Sequence, residues 1–200
     1  MNVWIIRPLP HGANHMQDFL EEGIIAVGYP VGERLDVLSY DEIRESLKRK
    51  GWQEGLGNVN ILVHLMQEGD LVIVPDANKK DVYFGKITSG YRYEKDLDRD
   101  VAGLGYPHQR KVDWYFGKKP LLRGELPEVL KGSLRYPGTV ADISKHKEVV
   151  RRLVEQETGV DPGFADLRDR ALETVRELLE SPDDSVRLKA AEIILNETRL

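Results

Sequence analysis

Three strand-like segments follow one another between residues 70 and 116: DLVIVPD, DVYFGKITSGYRYE and HQRKVDWYF. Each is rich in β-branched and aromatic residues and is bounded by polar or Gly/Pro joints, the pattern of an antiparallel meander. A chain that must bury such a meander needs helices over at least one face. The flanking sequence supplies them.

Before the meander, VWIIR ends at Pro8, the loop PLPHGAN follows, and MQDFLEE reads as a helix closed by Gly23. GIIAVGYP is a second buried strand. Ser39 and Glu42 have capping-box spacing ahead of Ile43 and Leu47, and Gly51 ends that helix. Asn58 is placed to cap a helix carrying Ile61, Leu62, Leu65 and Met66 up to Gly69, and GLGN at 55–58 reads as a turn. After the meander, Ser144 is placed to cap a helix over 145–156. GVDPG at 159–163 reads as a linker. Leu167, Ala171, Leu172, Val175, Leu178 and Leu179, then Val186, Ala190, Ile193 and Ile194, form a helical hairpin broken at SPDD, with Asp183 or Asp184 as cap and Pro182 as stop. The expected fold is α+β: one domain over residues 1–158 and the helical hairpin over 164–200.

Two hundred residues, 40% of them hydrophobic and none of them cysteine, exclude disulfides and thiolate metal sites. No apolar run approaches the roughly 20 residues of a membrane span. A cytoplasmic protein without a membrane partner is the expectation. The net charge of -5 is unevenly spread. Residues 101–152 hold eleven Lys and Arg against five Asp and Glu, whereas residues 161–200 hold six against ten. A local basic field is therefore compatible with global acidity.

Strand parity sorts the third segment into two faces. Arg110, Val112, Trp114 and Phe116 share one, and Gln109, Lys111, Asp113 and Tyr115 the other. The second set is polar, so the first points inward. Without a bulge at Gly85 or Gly90, Tyr83, Ile87, Ser89, Tyr91 and Tyr93 form a row beside Arg110 and Trp114. Aromatic walls with a few polar groups suit a flat, heteroatom-rich ring.

VWIIRP with its Gly/His loop, QDFLEEGIIAVGYP, GDLVIVPD, VYFGKITSGYRYE and HQRKVDW, in that order, resemble the EVE-like modules of the PUA-like superfamily, which are similar in fold to YTH and SRA readers. The resemblance covers residues 1 to about 156. It implies a small, partly open β-barrel flanked by helices that takes a flipped, methylated or hydroxymethylated base into an aromatic pocket. The positions it points to are Trp4, Arg7, Tyr29, Ser89, Tyr91, Tyr93, His108 and Arg110, with Trp114 added by parity. Lys111, Lys118, Lys119, Arg123, Lys145 and Lys147 are the expected phosphate contacts. The partner would be nucleic acid, DNA ahead of RNA, in a restriction or defence setting. The C-terminal hairpin is similar to HEAT-type pairs or phage assembly segments and would serve self-association or a partner protein.

Other chemistries have weaker support. HGANH at 11–15 lacks a nearby third ligand for zinc. Asp70, Asp76, Asp81 and Lys86 could hold Mg²⁺ in a nuclease, but strand ends are commonly acidic. No P-loop, GxGxxG or GxSxG occurs. A non-enzymatic reader without cofactor is the expectation. An adaptor using the barrel as a scaffold is the alternative.

Overall fold

The computed structural model describes residues 1–101, 104–157, 171 and 173–197. The chain divides into two compact units, Met1–Val154 and Glu155–Leu200.

The first unit is α+β, built on a curled, half-barrel mixed sheet. Its eight strands are β1 (Val3–Ile6), β2 (Ile24–Val27), β3 (Leu71–Pro75), β4 (Asp81–Ile87), β5 (Arg92–Tyr93), β6 (His108–Trp114), β7 (Leu121–Leu122) and β8 (Val140–Asp142). The order is β2-β6-β4-β3-β1-β8, with β5 on β6 and β7 on β4. The expected meander is present as β3, β4 and β6, paired antiparallel in sequence order. The single parallel pair among these strands, β1 with β3, brings the N-terminal strand into the centre.

Alternation on the central strands feeds two cores. Trp4, Ile6, Val72, Val74, Ile87 and Val112 face one side. They meet Phe19 of α1 (Met16–Glu22), Ile43 and Leu47 of α2 (Tyr40–Arg49), and Val59 of α3 (Leu56–Asn60). Val3, Ile5, Leu71, Ile73, Val82 and Phe84 face the other. There they meet Leu130 of α4 (Glu128–Ser133), with Val150 and Val154 of α5 (Lys147–Glu157). Burial on both faces is why VWII and LVIVP read as unbroken apolar runs.

The Ser39 capping box forms as expected: Ser39 Oγ accepts from Glu42 N at 3.4 Å, and Glu42 accepts from Ser39 N at 2.8 Å. Those bonds from Ser39 hold the Glu42 carboxyl below its usual range. Gly23 closes α1 in the left-handed conformation at φ 61°.

Four local expectations are corrected. Residues 55–58 enter α3 rather than a turn. Asn58 therefore lies inside that helix, and its side chain reaches Tyr29 and β8 instead of a helix start. Ser144 accepts from Val3 N at 3.0 Å within a short 3₁₀ turn ahead of α5, because β1 has an amide to satisfy there. Phe116 leaves the parity of β6. The strand stops at Trp114, and φ is positive at Phe116, Gly117 and Lys118. This turn swings the Phe116 ring into the second core, 6.0 Å from Phe84.

The aromatic row is also discontinuous. The ladder passes Gly85 without a bulge, its register unbroken from Gly85–Trp114 to Ile87–Val112, but β4 ends at Ile87 and the chain bends at residues 89–90 before β5.

In the second unit the backbone is helical over 173–178 and in α6 (Asp184–Glu197). Asp183 caps α6, accepting from Ser185 N at 2.8 Å. The expected linker at 159–163, together with Leu167 and Leu172, lies outside the described residues. No described helix is long and apolar enough to cross a membrane.

Candidate functional site: an aromatic cleft

A cleft of about 330 Å³ opens between the loop after β1, the end of β2 and the segment after α2. Leu9, Pro10, His11, Gly28, Tyr29, Trp52 and Thr139 line it. Three rings converge. Trp52 stands edge-on to His11 at 5.4 Å and to Tyr29 at 6.0 Å between centroids.

The backbone is forced to put these rings there. His11 and Tyr29 both adopt left-handed conformations, at φ 51° and φ 67°, a region uncommon for residues other than glycine. Pro10 and the 3₁₀ turn Pro10–Gly12 present His11. Two glycines make room: a Cβ at Gly105 would fall on the His11 ring, and one at Gly55 on the Tyr29 ring.

Tyr29 is fixed at both ends. Its hydroxyl accepts from Asn58 Nδ2 at 2.9 Å, and Asn58 Oδ1 accepts from Val140 N at 3.2 Å, so the ring is tied to β8. Its carbonyl accepts from His108 Nε2 at 3.2 Å. A carbonyl can only accept, so this contact fixes the His108 tautomer, and Nδ1 then accepts from the Tyr91 hydroxyl at 2.7 Å. Tyr91 in turn accepts from Leu35 N at 3.4 Å. His108 is fully buried, with Tyr91 and Tyr93 stacked at 6.0 Å. Burial pulls its imidazole down to about 4, so it stays neutral at pH 7. The same burial raises the Tyr91 phenol well above its ordinary value.

His11 keeps one unused polar atom. Its Nδ1 lies 3.4 Å from Asp100, whereas its buried Nε2 has no hydrogen-bond partner among the described residues. That nitrogen lies against Gly105 and is closed to solvent.

Of the nine positions expected to form a base pocket, Tyr29 is in the wall. Arg7 supports the far side: it donates to Gly138 O at 3.2 Å and Tyr136 O at 2.5 Å, shaping the segment that ends at Thr139. Tyr91, Tyr93 and His108 form the layer behind Tyr29. The remaining four lie elsewhere.

Trp4 is buried and donates to Asp70 Oδ2 at 2.8 Å. Burial raises the Asp70 carboxyl, but bonds from Trp4, Asn2 N and Gln67 N outweigh it and hold the group below its usual value. Arg110 does enter the core, and three carbonyls take its guanidinium: Leu62 at 2.6 Å, Val63 at 2.9 Å and Ser89 at 3.0 Å. Residues Ile61–Leu65 form a π-turn continuing α3, and Arg110 bonds two carbonyls inside that turn. Ser89 Oγ accepts from Lys111 N at 2.8 Å. Trp114 Nε1 donates to Phe19 O at 3.0 Å.

The expected phosphate contacts do not form one track. Lys111 and Lys118 bond the last carbonyls of α1, Glu22 O at 2.9 Å and Leu20 O at 2.7 Å. Together with Trp114 they cap that helix from β6 and the turn after it. Arg123 belongs to a separate basic groove, Lys145 lines a shallow depression beside Asp142, and Lys119 and Lys147 are exposed. Of the nuclease set, Asp70 serves Trp4, while Asp76 and Asp81 brace the β3–β4 turn. Among the described residues, no group of three or more His, Asp or Glu could hold a metal ion.

Sequence reasoning weighed His11 only as a zinc ligand and missed Trp52. A helix ending at Gly51 directly before Trp52 was the available signal, because it leaves a large aromatic at a loop start. The left-handed backbone at His11 had none. Among curated proteins, none matches the chain. Residues 5–127, more than half of the chain, match the domain of unknown function DUF8426, and the protein belongs to that family.

Proposed function

We propose that this protein is a non-enzymatic nucleic-acid reader of the EVE-like, PUA-like kind, whose aromatic cleft receives an extruded base carrying a methyl or hydroxymethyl mark. The observation that carries the reading is the convergence of His11, Tyr29 and Trp52 on a cleft of about 330 Å³, two of them, His11 and Tyr29, held by left-handed backbone adopted at a cost. That volume is at the small end of ligand sites. Base–aromatic stacking contributes roughly 1 to 3 kcal/mol per base, comparable with the few kcal/mol that extrusion costs. DNA stands ahead of RNA as the carrier of the mark.

The test is binding of the full chain to matched oligonucleotides containing cytosine or adenine, each unmodified, methylated or hydroxymethylated, beside Trp52→Ala. A preference for one mark that Trp52→Ala abolishes supports the reader. Equal binding to all sequences in both proteins sinks it. The adaptor reading would then gain, because Leu178, Leu188 and Ile193 leave apolar surface exposed on the C-terminal unit.

A further inference from the structure

A second concavity, of about 600 Å³, is lined by Lys79, Lys80, Leu122, Arg123, Gly124, Glu125, Lys131 and Arg135. Five of these eight residues are cations and one is an acid, in a chain whose net charge is -5. Lys131 pairs with Glu128 at 2.8 Å. The side chains of Lys79, Lys80 and Arg123 have no carboxylate partner among the described residues, and Arg135 is near enough to Glu128 to share in holding that carboxyl below its usual range. Three unpaired cations, with Arg135 beside them, repel one another around one depression unless an anion enters.

The fold holds these charges in register. The turn between β3 and β4 closes with Asp76 N on Asp81 O at 3.0 Å, and Asn78 Oδ1 accepts from Lys80 N at 2.8 Å. Lys79 takes φ 63° in that turn, where glycine or asparagine would be more comfortable. Arg123 N donates to Lys80 O at 2.7 Å, extending the β4–β7 ladder and setting Lys80 beside Arg123.

The groove lies at the same end of the sheet as the aromatic cleft. The parallel β1–β3 pair and the antiparallel partners of both strands bring the residues after Ile6, the 76–81 turn and the start of β8 together there. Arg135 lines the groove and Thr139 lines the cleft. Four residue steps separate them and span at most about 14 Å, and Arg7 holds that stretch by its carbonyls. One strand of duplex places a phosphate every ~3.4 Å of helix axis, so a few nucleotides cover the distance.

We infer that the groove of Lys79, Lys80, Arg123 and Arg135 binds the phosphodiester backbone of the same strand whose base enters the cleft. The inference rests on the reader proposal for the identity of its ligand. Phosphate groups match separated cations that have no carboxylate of their own.

The experiment titrates the full chain with labelled DNA of one sequence, unmodified and marked, across a salt series. Lys80→Glu/Arg123→Glu is compared with Lys48→Glu/Lys50→Glu, which makes the same charge change on exposed α2 surface. The groove variant should lose at least tenfold in affinity for both oligonucleotides. Its log–log salt slope should be shallower by about 1.5, given 0.7 to 0.9 per phosphate contact. It should keep any ratio between marked and unmodified DNA. Equal losses in the two variants, or an unchanged slope in the groove variant, overturns the inference. Saturable binding of inorganic phosphate, lost in the groove variant while DNA binding is unchanged, also overturns it, because the groove would then serve a free anion. A groove effect without any preference for marks defeats the reader proposal and leaves the groove standing. A preference with no groove effect does the reverse.

Discussion

His108 Nε2 donates to the carbonyl oxygen of Tyr29 at 3.2 Å, and this bond from a buried neutral imidazole holds Tyr29 in its left-handed conformation. The histidine that seemed from sequence a group for reading a base instead supports one of the rings that form the cleft wall. Its second nitrogen is occupied by Tyr91, so both of its hydrogen-bonding sites are spent on the protein.

Acid should loosen the fold through this residue. In the unfolded chain the imidazole takes a proton near its ordinary 6.5, and in the folded protein only near 4. Between those values the unfolded state binds more protons, so stability is complete above about pH 6.5 and falls as pH drops toward 4. The loss is about 3 kcal/mol at most, from 1.36 kcal/mol per unit of difference. Urea denaturation midpoints at several pH values from 7.5 to 4.5 measure it, and His108→Gln should flatten that part of the profile.

Spacing at two nearby glycines should have opposite consequences. Gly55→Ala pushes a methyl into the Tyr29 ring and should cost about 1 to 3 kcal/mol as overpacking. Gly57→Ala, two residues on in α3 with nothing within 4 Å, should gain about 0.5 to 1 kcal/mol from helix propensity. Thermal melts of both variants decide this. Equal effects would show that Tyr29 does not rest on Gly55.

Removing the guanidinium of Arg110 should be severe. Arg110→Met keeps an apolar stem but leaves Leu62, Val63 and Ser89 carbonyls without their donor. At about 1 to 3 kcal/mol per stranded buried group, the variant should lose about 3 kcal/mol or more in denaturant titration. Faster amide exchange at residues 61–66 should accompany the loss.

Lys118→Met should do little. The lysine caps Leu20 O at the end of α1, worth about 0.3 to 1 kcal/mol. Nucleic-acid affinity should stay within threefold of the parent in a binding titration, in contrast to the groove variant.

The sheet was legible because burial writes itself into sequence. VWII, IIAV and LVIVP are apolar throughout, and Arg110, Val112 and Trp114 turn inward from β6 as parity requires, but the opposite face is not the wet one it read as, since Gln109 is buried and Tyr115 packs on the second core. The capping box at Ser39 is local chemistry and was readable for that reason. Parity stopped short at Phe116, where three consecutive left-handed residues end the register. The cleft was the harder feature. Its rings come from three separated segments, and the left-handed backbone at His11 and Tyr29 is imposed by tertiary contacts that no spacing rule encodes. Inward-facing polarity at Arg110 and His108 was visible, but all three Arg110 partners and one of the two His108 partners are main-chain carbonyls, which every residue carries and none advertises.

The second core has a consequence for where this protein can be cut. The family match ends at residue 127, whereas α4, β8 and α5, which shield Val3, Ile5, Ile73 and Phe84, begin at Glu128. A fragment ending at residue 127 would bare a greasy sheet face and turn β1 into an open rim with unpaired amides, an invitation to stack on its own copies. The matched span therefore covers less than the smallest piece that should survive alone in water.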